Sequence, residues 1–376
     1  MRRFNLSIMD SYILREFIMP FIFCVAMFSC VGVAIATISD LSHRIIESNL
    51  PLFSAFQVFI LKFPEYVGYA LPFSVLLTSL LTYSRLSKDS ELIALQSSGI
   101  SLYRIIAPTI VASLVITLVT FAFNELIIPP SNYRATSILA GDSGIVNKYT
   151  VQQDIFYPQY EEIITADGKV KRELKSLFYA QEFDGREMQN ITVIETNNHQ
   201  LEKITVSESG NWNNNEDEWD FSNGVIYDIK INLSQISSNF FQHKKIPLPK
   251  TPLELASKSR SPYEMNIRES FEYIEILEQV GNQKSILMYR VRTAQKISFP
   301  FICIIFAMIG SAIGAKFNQN NKGTSFGLTV LIVFGYYLTS FFIGSLGLID
   351  VLSPTMAAWL PNFICFGIGV YLLTKS

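Results

Sequence analysis

Leu86-Ser87-Lys88-Asp89-Ser90-Glu91-Leu92-Ile93-Ala94-Leu95-Gln96-Ser97-Ser98-Gly99-Ile100-Ser101 is a short, charged, cappable segment between two strongly apolar runs. Asp89 stands where an N-cap is wanted, and Glu91 falls in the first turn, where a carboxylate favours the helix dipole. Gly99 suits the C′ position that closes a helix. Leu92, Ile93 and Leu95 give a partly apolar helix of about two to three turns, too short to be stable alone in water. Such a helix needs a partner, and its place between two membrane spans predicts a cytoplasmic protein docking there. The plain alternative is a solvated loop with incidental helix.

Working outward, the flanking runs are long enough to cross a bilayer, which takes about 20 apolar residues. Phe17–Ser39 carries no charge, and Tyr66–Ser84 is equally clean after a semi-apolar approach over Leu52–Phe63. Ile105–Ile128 follows, with Glu125 near its end. Ile297–Ala315, Thr324–Ile349 and Val351–Thr374 complete six predicted spans, three on each side of a polar middle. Pro20, Pro64, Pro72, Pro108, Pro300, Pro354 and Pro361 lie in or near them, which membrane helices tolerate as kinks or starts. Arg2, Arg3 and Ala34-Ile35-Ala36 superficially suggest a cleaved signal peptide, but the apolar stretch is longer than a signal core and more spans follow, so a retained span is expected.

Composition agrees. Of 376 residues, 49% are hydrophobic, and the formal net charge of −2 does not suggest a nucleic-acid binder. Cys24, Cys30, Cys303 and Cys365 all sit in apolar runs and read as small core hydrophobes, so the polar middle holds no disulfide. His43, His199 and His243 are far apart in sequence. No nucleophile–base pairing, zinc motif or phosphate-cradling glycine loop occurs, so neither a catalytic site nor a cofactor is expected. Glu216, Asp217, Glu218 and Asp220, beside Asn213–Asn215, read as a solvated loop rather than a metal site.

Orientation follows from the basic residues of short loops. With the N-terminus inside, the inner segments hold Arg2, Arg3, Arg15, Arg85, Lys88, Arg104, Lys316, Lys322 and Lys375, whereas the short outer loops hold Arg44. Both termini and the Leu86–Ser101 segment are therefore predicted to be cytoplasmic, and Pro129–Gln283 exported. Lys284, Arg290, Arg292 and Lys296 run against the trend, just before the fourth span on the outer side. They read either as snorkelling anchors for lipid head groups or as a site for an anionic amphiphile, which Arg44 and Lys62 are placed to join.

The exported middle alternates like strands from Asp154 to Ile231. Leu177–Phe183 and Met188–Glu195 flank Asp184-Gly185, a hairpin signal. Ala166-Asp167-Gly168-Lys169 and Ser222-Asn223-Gly224 offer two more turns, and the pattern points to a sandwich or jelly roll. Lys244–Pro252 reads as an extended linker, and Asn266–Gln279 as an amphipathic helix on the outer interface, with Ile267, Phe271, Ile274 and Leu277 on one face.

This arrangement resembles the LptF/LptG (YjgP/YjgQ) permease family of lipopolysaccharide export. Asp10-x-Tyr12-Ile13-x-x-Glu16 is similar to the family's opening, Pro64-Glu65 and Leu71-Pro72-Phe73 to its second span, and Ser90-Glu91-Leu92 through Ser98-Gly99-Ile100-Ser101 to its coupling helix. Ser298-Phe299-Pro300, Gly310 with Gly314, Gly335-Tyr336-Tyr337 and Ala358-Trp359-Leu360-Pro361-Asn362 resemble its closing pattern. The likeness is strong at both ends; in the middle it is architectural. Asn124-Glu125-Leu126 and Asn132-Tyr133-Arg134-Ala135 lean towards the LptG-like member.

The resemblance implies an inner-membrane α-helical protein of six transmembrane helices with an inserted periplasmic all-β, jelly-roll-like domain, divided as 1–128, 129–262 and 263–376. It implies a second LptF/LptG-type permease or a second copy of the chain, a cytoplasmic LptB-like ABC ATPase, and periplasmic jelly-roll bridge proteins like LptC and LptA. Asp89, Glu91, Leu92, Leu95 and Gly99 would then couple to the ATPase, with Glu91 ion-paired to a basic residue. Arg44, Lys284, Arg290, Arg292 and Lys296 would form the rim for the lipid head group. One departure is that His43 and Arg44 alone mark the outer end of span one, where a denser basic cluster is expected for a heavily phosphorylated lipid; a less anionic lipid A would account for it. The competing reading is a non-transporting scaffold presenting its β domain. An ion-coupled transporter is disfavoured because Glu65 and Glu125 are placed near span ends.

Overall fold

The computed structural model describes residues 7–47, 51–141, 152–164, 170–183, 187–197, 200–213, 218–230, 235–247, 252, 260–280, 283–316 and 322–375. The chain divides into two compact units: residues 1–135, 262–267 and 287–376 form one, residues 136–261 and 268–286 the other.

The first unit is helical. Among the described residues, six stretches are long and apolar enough to cross a membrane: Ile8–His43, Leu52–Lys88, Leu102–Leu139, Gln283–Lys316, Gly323–Leu348 and Pro354–Thr374. We number the helices α1 (Ile8–Glu47), α2 (Leu52–Lys88), α3 (Glu91–Ser97), α4 (Leu102–Ala122) and α5 (Ile128–Gly141), the last two joined by a π-helical turn at Phe123–Ile127. After the β region come α6 (Ile267–Val280), which from residue 268 belongs to the second unit, α7 (Gln283–Ser298), α8 (Ile302–Lys316), α9 (Lys322–Leu348) and α10 (Pro354–Thr374). The expected approach over Leu52–Phe63 is therefore part of one continuous α2, and Glu65 lies well inside that helix rather than near its end. The basic run from Lys284 to Lys296 belongs to α7, which leads through a 3-10 turn at Phe299–Phe301 into α8.

The centre of this unit is α2 against α8. Gly310 and Gly314, one helical turn apart, let the backbones meet: a Cβ on Gly310 would stand 2.7 Å from the Leu76 carbonyl oxygen, and one on Gly314 2.7 Å from that of Leu80. Small residues at such spacing are how membrane helices gain close packing without a hydrophobic drive between them. Leu76, Leu80, Phe306, Ile309 and Tyr336 fill the surrounding core. The 3-10 turn is held by polar side chains. Asn362 donates to the Ser298 carbonyl at 2.7 Å, Tyr336 donates to Asn362 Oδ1 at 3.0 Å, and Ser298 donates to the Ala358 carbonyl at 2.9 Å. Cys24, Cys303 and Cys365 are buried as expected, but Cys30 is exposed.

In the second unit, β1 (Gln152–Ile164), β2 (Val170–Phe183), β3 (Met188–Asn197), β4 (Gln200–Asn213), β5 (Glu218–Lys230) and β6 (Gln235–Ile246) form one antiparallel sheet in sequential order. Period-two alternation sends Phe178 and Ala180, Ile191 and Val193, and Trp219 and Phe221 to one buried face. Phe183 pairs with Met188 around the expected hairpin, and Ile164 with Val170 around the expected Ala166–Lys169 turn; the turn residues themselves, 184–186 and 165–169, lie outside the described residues.

Ser222-Asn223-Gly224 is not a turn: it runs inside β5, where Ser222 and Gly224 each pair with both β4 and β6. Asn223 takes the left-handed φ of 52° that suggested one, and the strand absorbs it because Asn tolerates that region. Of the stretch read as a linker, Lys244–Ile246 belong to β6, and residues 248–251 lie outside the described residues. Glu218 and Asp220 of the acidic cluster open β5, whereas Glu216 and Asp217 are not among the described residues.

Candidate functional site

The short helix between the apolar runs has seven residues, about two turns, and starts later than its capping residues suggest. Leu86–Lys88 finish α2, Asp89 is the C-cap of that helix, and α3 spans Glu91–Ser97. Asp89 is thus not the N-cap of α3. That position is Ser90, which adopts a left-handed φ of 58° and makes no side-chain cap. The turn is so tight that α2 keeps the residue the spacing assigned to α3. The other end is as expected: Gly99, at φ +85°, closes α3 with its N–H on the Gln96 carbonyl at 2.9 Å, while Ile100 N–H reaches the Leu95 carbonyl at 3.2 Å. These two bonds make a Schellman closure, with Leu95 and Ile100 in the same apolar cluster.

Leu92 is buried against a cluster containing Ile13, Tyr83, Leu86 and Ile105, so it anchors α3 to the bundle instead of facing a partner. Leu95 is half-buried, and the outward apolar residue is Ile93, at 60% exposure.

Around α3 lies a polar cluster. Tyr12 and Glu16 share one face of α1 at i,i+4 spacing. Tyr12 donates its hydroxyl across the Glu91 carboxylate, 2.9 Å from Oε2 and 3.1 Å from Oε1, and accepts from Arg85 Nη2 at 3.2 Å. Arg85 Nη1 pairs with Glu16, and Nε lies 3.5 Å from Asp89 Oδ2. Beside them Arg104, at the start of α4, grips Asp10 through two bonds of 2.7 and 2.8 Å. By sequence, Arg85 and Arg104 serve only as orientation signals. Their partners were visible as the Asp10, Tyr12 and Glu16 pattern, but which acid meets which base depends on tertiary placement.

Elsewhere in the helical unit, a cavity of about 270 Å³ with several charged and polar groups on a largely apolar wall is lined by Glu65, Tyr69, Arg292, Lys296, Tyr336 and Tyr337, among others. An apolar crevice of about 640 Å³ lies against it, between α1, α2 and α9; Tyr69 and Tyr337 line both. Arg292 donates to Gln295 Oε1 at 3.0 Å, and its guanidinium lies 5.9 Å from the centre of the Tyr263 ring. Lys296 donates to the carbonyls of Pro262, at 3.2 Å, and of Met265. Glu65 is paired with Lys62 at 3.2 Å. Glu125 accepts from the Ile267 N–H with both oxygens, at 3.0 and 3.1 Å, and so caps the start of α6 from the π-helical turn.

Of the five residues read as a head-group rim, Arg292 and Lys296 come together at this cavity. Arg290 is exposed on α7 two residues from Arg292, a spacing that points the pair apart. Lys284 is exposed near the start of α7, in the unit that contains the sheet. Arg44 falls within α1, but its side chain is outside the described residues.

Comparison with known proteins decides the family. Residues 11–375 match the family described as lipopolysaccharide export system permease LptF/LptG. The chain belongs to the LptF/LptG family. It is 21% identical over 325 residues to the lipopolysaccharide export system permease protein LptG of Escherichia coli K12, covering 84% of each chain. It is also 21% identical over 348 residues to an uncharacterised protein of Rickettsia prowazekii, covering 88% of this chain and 89% of that one. The six apolar helices and the inserted β sheet fit a multi-pass inner-membrane permease of this LptF/LptG kind.

Proposed function

We propose that this LptF/LptG-family chain is the membrane half of an ATP-driven lipopolysaccharide exporter. It pairs with a second such permease or a second copy of itself, and α3 docks on a cytoplasmic LptB-like ABC ATPase. The observation that carries this reading is the build of α3. Leu92 fixes the helix inward, while Ile93 stands exposed and Glu91 is half-buried beside it. An exposed apolar side chain next to a carboxylate on a two-turn helix suits a groove with a basic rim. The excess of Lys and Arg at the α3 end of the spans supports cytoplasmic termini, a cytoplasmic α3 and an exported β domain.

The paired cavities support an amphiphilic cargo: Arg292 faces the anionic head group, and the apolar crevice faces acyl chains. The outer strands β1 and β6, each with a strand on one side among the described residues, suit strand addition to LptC- and LptA-like bridge proteins.

The experiment is affinity purification of the tagged full chain in mild detergent, with mass spectrometry of what is retained. Wild type should retain a stand-alone ABC ATPase, and Glu91→Lys and Ile93→Asp should lose it while remaining inserted. Normal retention by both variants refutes the docking assignment. For the lipid, Arg292→Glu should weaken photocrosslinking to lipopolysaccharide more than Arg290→Glu; equal crosslinking by Arg292→Glu and wild type would reduce Arg292 to a structural role.

A further inference from the structure

We infer that Tyr12 and Arg85 are positioning residues for the Glu91 carboxylate, and that through them the docking helix is fastened to the first span. The inference rests on the docking role proposed for α3. Helix α3 has seven residues, its N-cap makes no side-chain bond, and Leu92 is its one buried side chain. Packing therefore holds the helix but leaves the Glu91 rotamer undetermined; the Tyr12 hydroxyl determines it by straddling both carboxylate oxygens.

The direction of the bonds matters. The phenol has one proton, which goes to Glu91, and its lone pair accepts from Arg85. Arg85 in turn spends its charge on Glu16 and Asp89. The chain of donors runs one way, so each bond polarises the next.

Charge explains why a phenol stands here. Had Arg85 paired directly with Glu91, the docking carboxylate would be neutralised. A neutral donor aligns the carboxylate and leaves its negative charge for an incoming group. Glu91, Glu16 and Asp89 face one guanidinium, Arg85; the neighbouring Arg104–Asp10 pair is balanced. Arg85 is matched to Glu16 and Asp89 and Arg104 to Asp10, so the Glu91 carboxylate, bound by the neutral Tyr12 hydroxyl, keeps its charge for a basic side chain on the partner. Because Tyr12 and Glu16 lie on α1, a displacement of α3 on docking pulls on the start of the first span.

The test is a double-mutant cycle on the full chain, assembled in lipid nanodiscs and titrated with its cognate ATPase. Tyr12→Phe should weaken binding by roughly three- to tenfold, a typical coupling for residues in one hydrogen-bond network. It removes no charge, so the salt dependence of binding should stay that of wild type. Glu91→Gln should weaken binding further and flatten that salt dependence, and the double variant should match Glu91→Gln alone.

Arg85→Gln gives an independent approach from the other side of the phenol, with the same non-additivity expected. Size-exclusion profiles and melting temperatures identify any variant that has lost its fold; if Tyr12→Phe does, Arg85→Gln decides. Unchanged binding by Tyr12→Phe, or losses that multiply in the double variant, overturns the inference while leaving the docking role intact. Unchanged binding by Glu91→Gln overturns the docking role and this inference with it.

Discussion

Replacing Gly310 or Gly314 with alanine should destabilise the helical unit, whereas the same change at Gly327 should not. A Cβ at Gly310 meets the Leu76 carbonyl oxygen at 2.7 Å and Ser79 Cβ at 2.9 Å; one at Gly314 meets the Leu80 carbonyl oxygen at 2.7 Å and Tyr83 Cβ at 2.9 Å. Backbone atoms cannot rotate away, so α8 must retreat from α2. A gap of roughly 0.5–1 Å already forfeits a quarter to a half of each dispersion contact along the seam. Overpacking of this kind costs about 1–3 kcal/mol. Alanine returns about 1 kcal/mol of helix propensity, which leaves a net loss of about 1 kcal/mol per site, doubled for the pair. At Gly327 a Cβ meets nothing within 4 Å, so the propensity gain stands alone. Thermal unfolding in detergent, followed by fluorescence-detected size exclusion, should show a lower midpoint for Gly310→Ala and Gly314→Ala and an equal or higher one for Gly327→Ala. Equal midpoints for all three would refute the claim that these glycines set the α2–α8 distance.

Asn362→Leu removes the partners of Ser298 and Tyr336 and should cost about 1 kcal/mol, the usual size of a hydrogen bond inside a membrane protein, read as a lower melting midpoint. Glu125→Ala should speed hydrogen exchange at the Ile267 amide by about fivefold or more, as loss of a cap worth about 1 kcal/mol requires, and Glu125→Gln should restore much of the protection. Trp219→Ala, in the centre of the sheet core, should cost about 3–5 kcal/mol and open the β domain to protease while leaving the helical unit resistant.

Much of this fold is legible in the sequence because each element carries a period. Uncharged runs announce the spans, and alternating residues with Asp-Gly turns announce the strands. The misreadings have physical reasons. Asn223-Gly224 looks like a turn because Asn readily takes a left-handed φ, yet a strand flanked on both sides can absorb that conformation. Asp89 looks like an N-cap because its side chain suits the position, but α2 continues until that residue ends it. Leu92 and Ile93 are indistinguishable by composition; tertiary packing buries one and exposes the other. The site charges are the hardest to read. By sequence position Lys296 suits a head-group rim, Glu125 marks a span end and Arg104 an inner loop; in the fold they serve internal carbonyls, a helix start and a neighbouring carboxylate.

That commitment of charge bears on how a head group is held. Lys296 is directed to two carbonyls, Lys62 to Glu65, and Glu65 itself brings a negative charge to the cavity. Arg292 is then the principal cation that one chain turns towards a ligand there. On the proposed function, a lipid with several phosphates would require more positive charge than this, and the proposed second permease is the expected source of the remainder. The full chain in nanodiscs on its own should therefore bind a bis-phosphorylated lipid A only slightly more tightly than its dephosphorylated form, with a shallow dependence on salt. Assembled with its partner permease, it should discriminate strongly between the two lipids, and the salt dependence should steepen as counter-charges are added. Strong discrimination by the isolated chain would show that one protomer carries the complete head-group site, and would shift the assignment to cations other than Arg292.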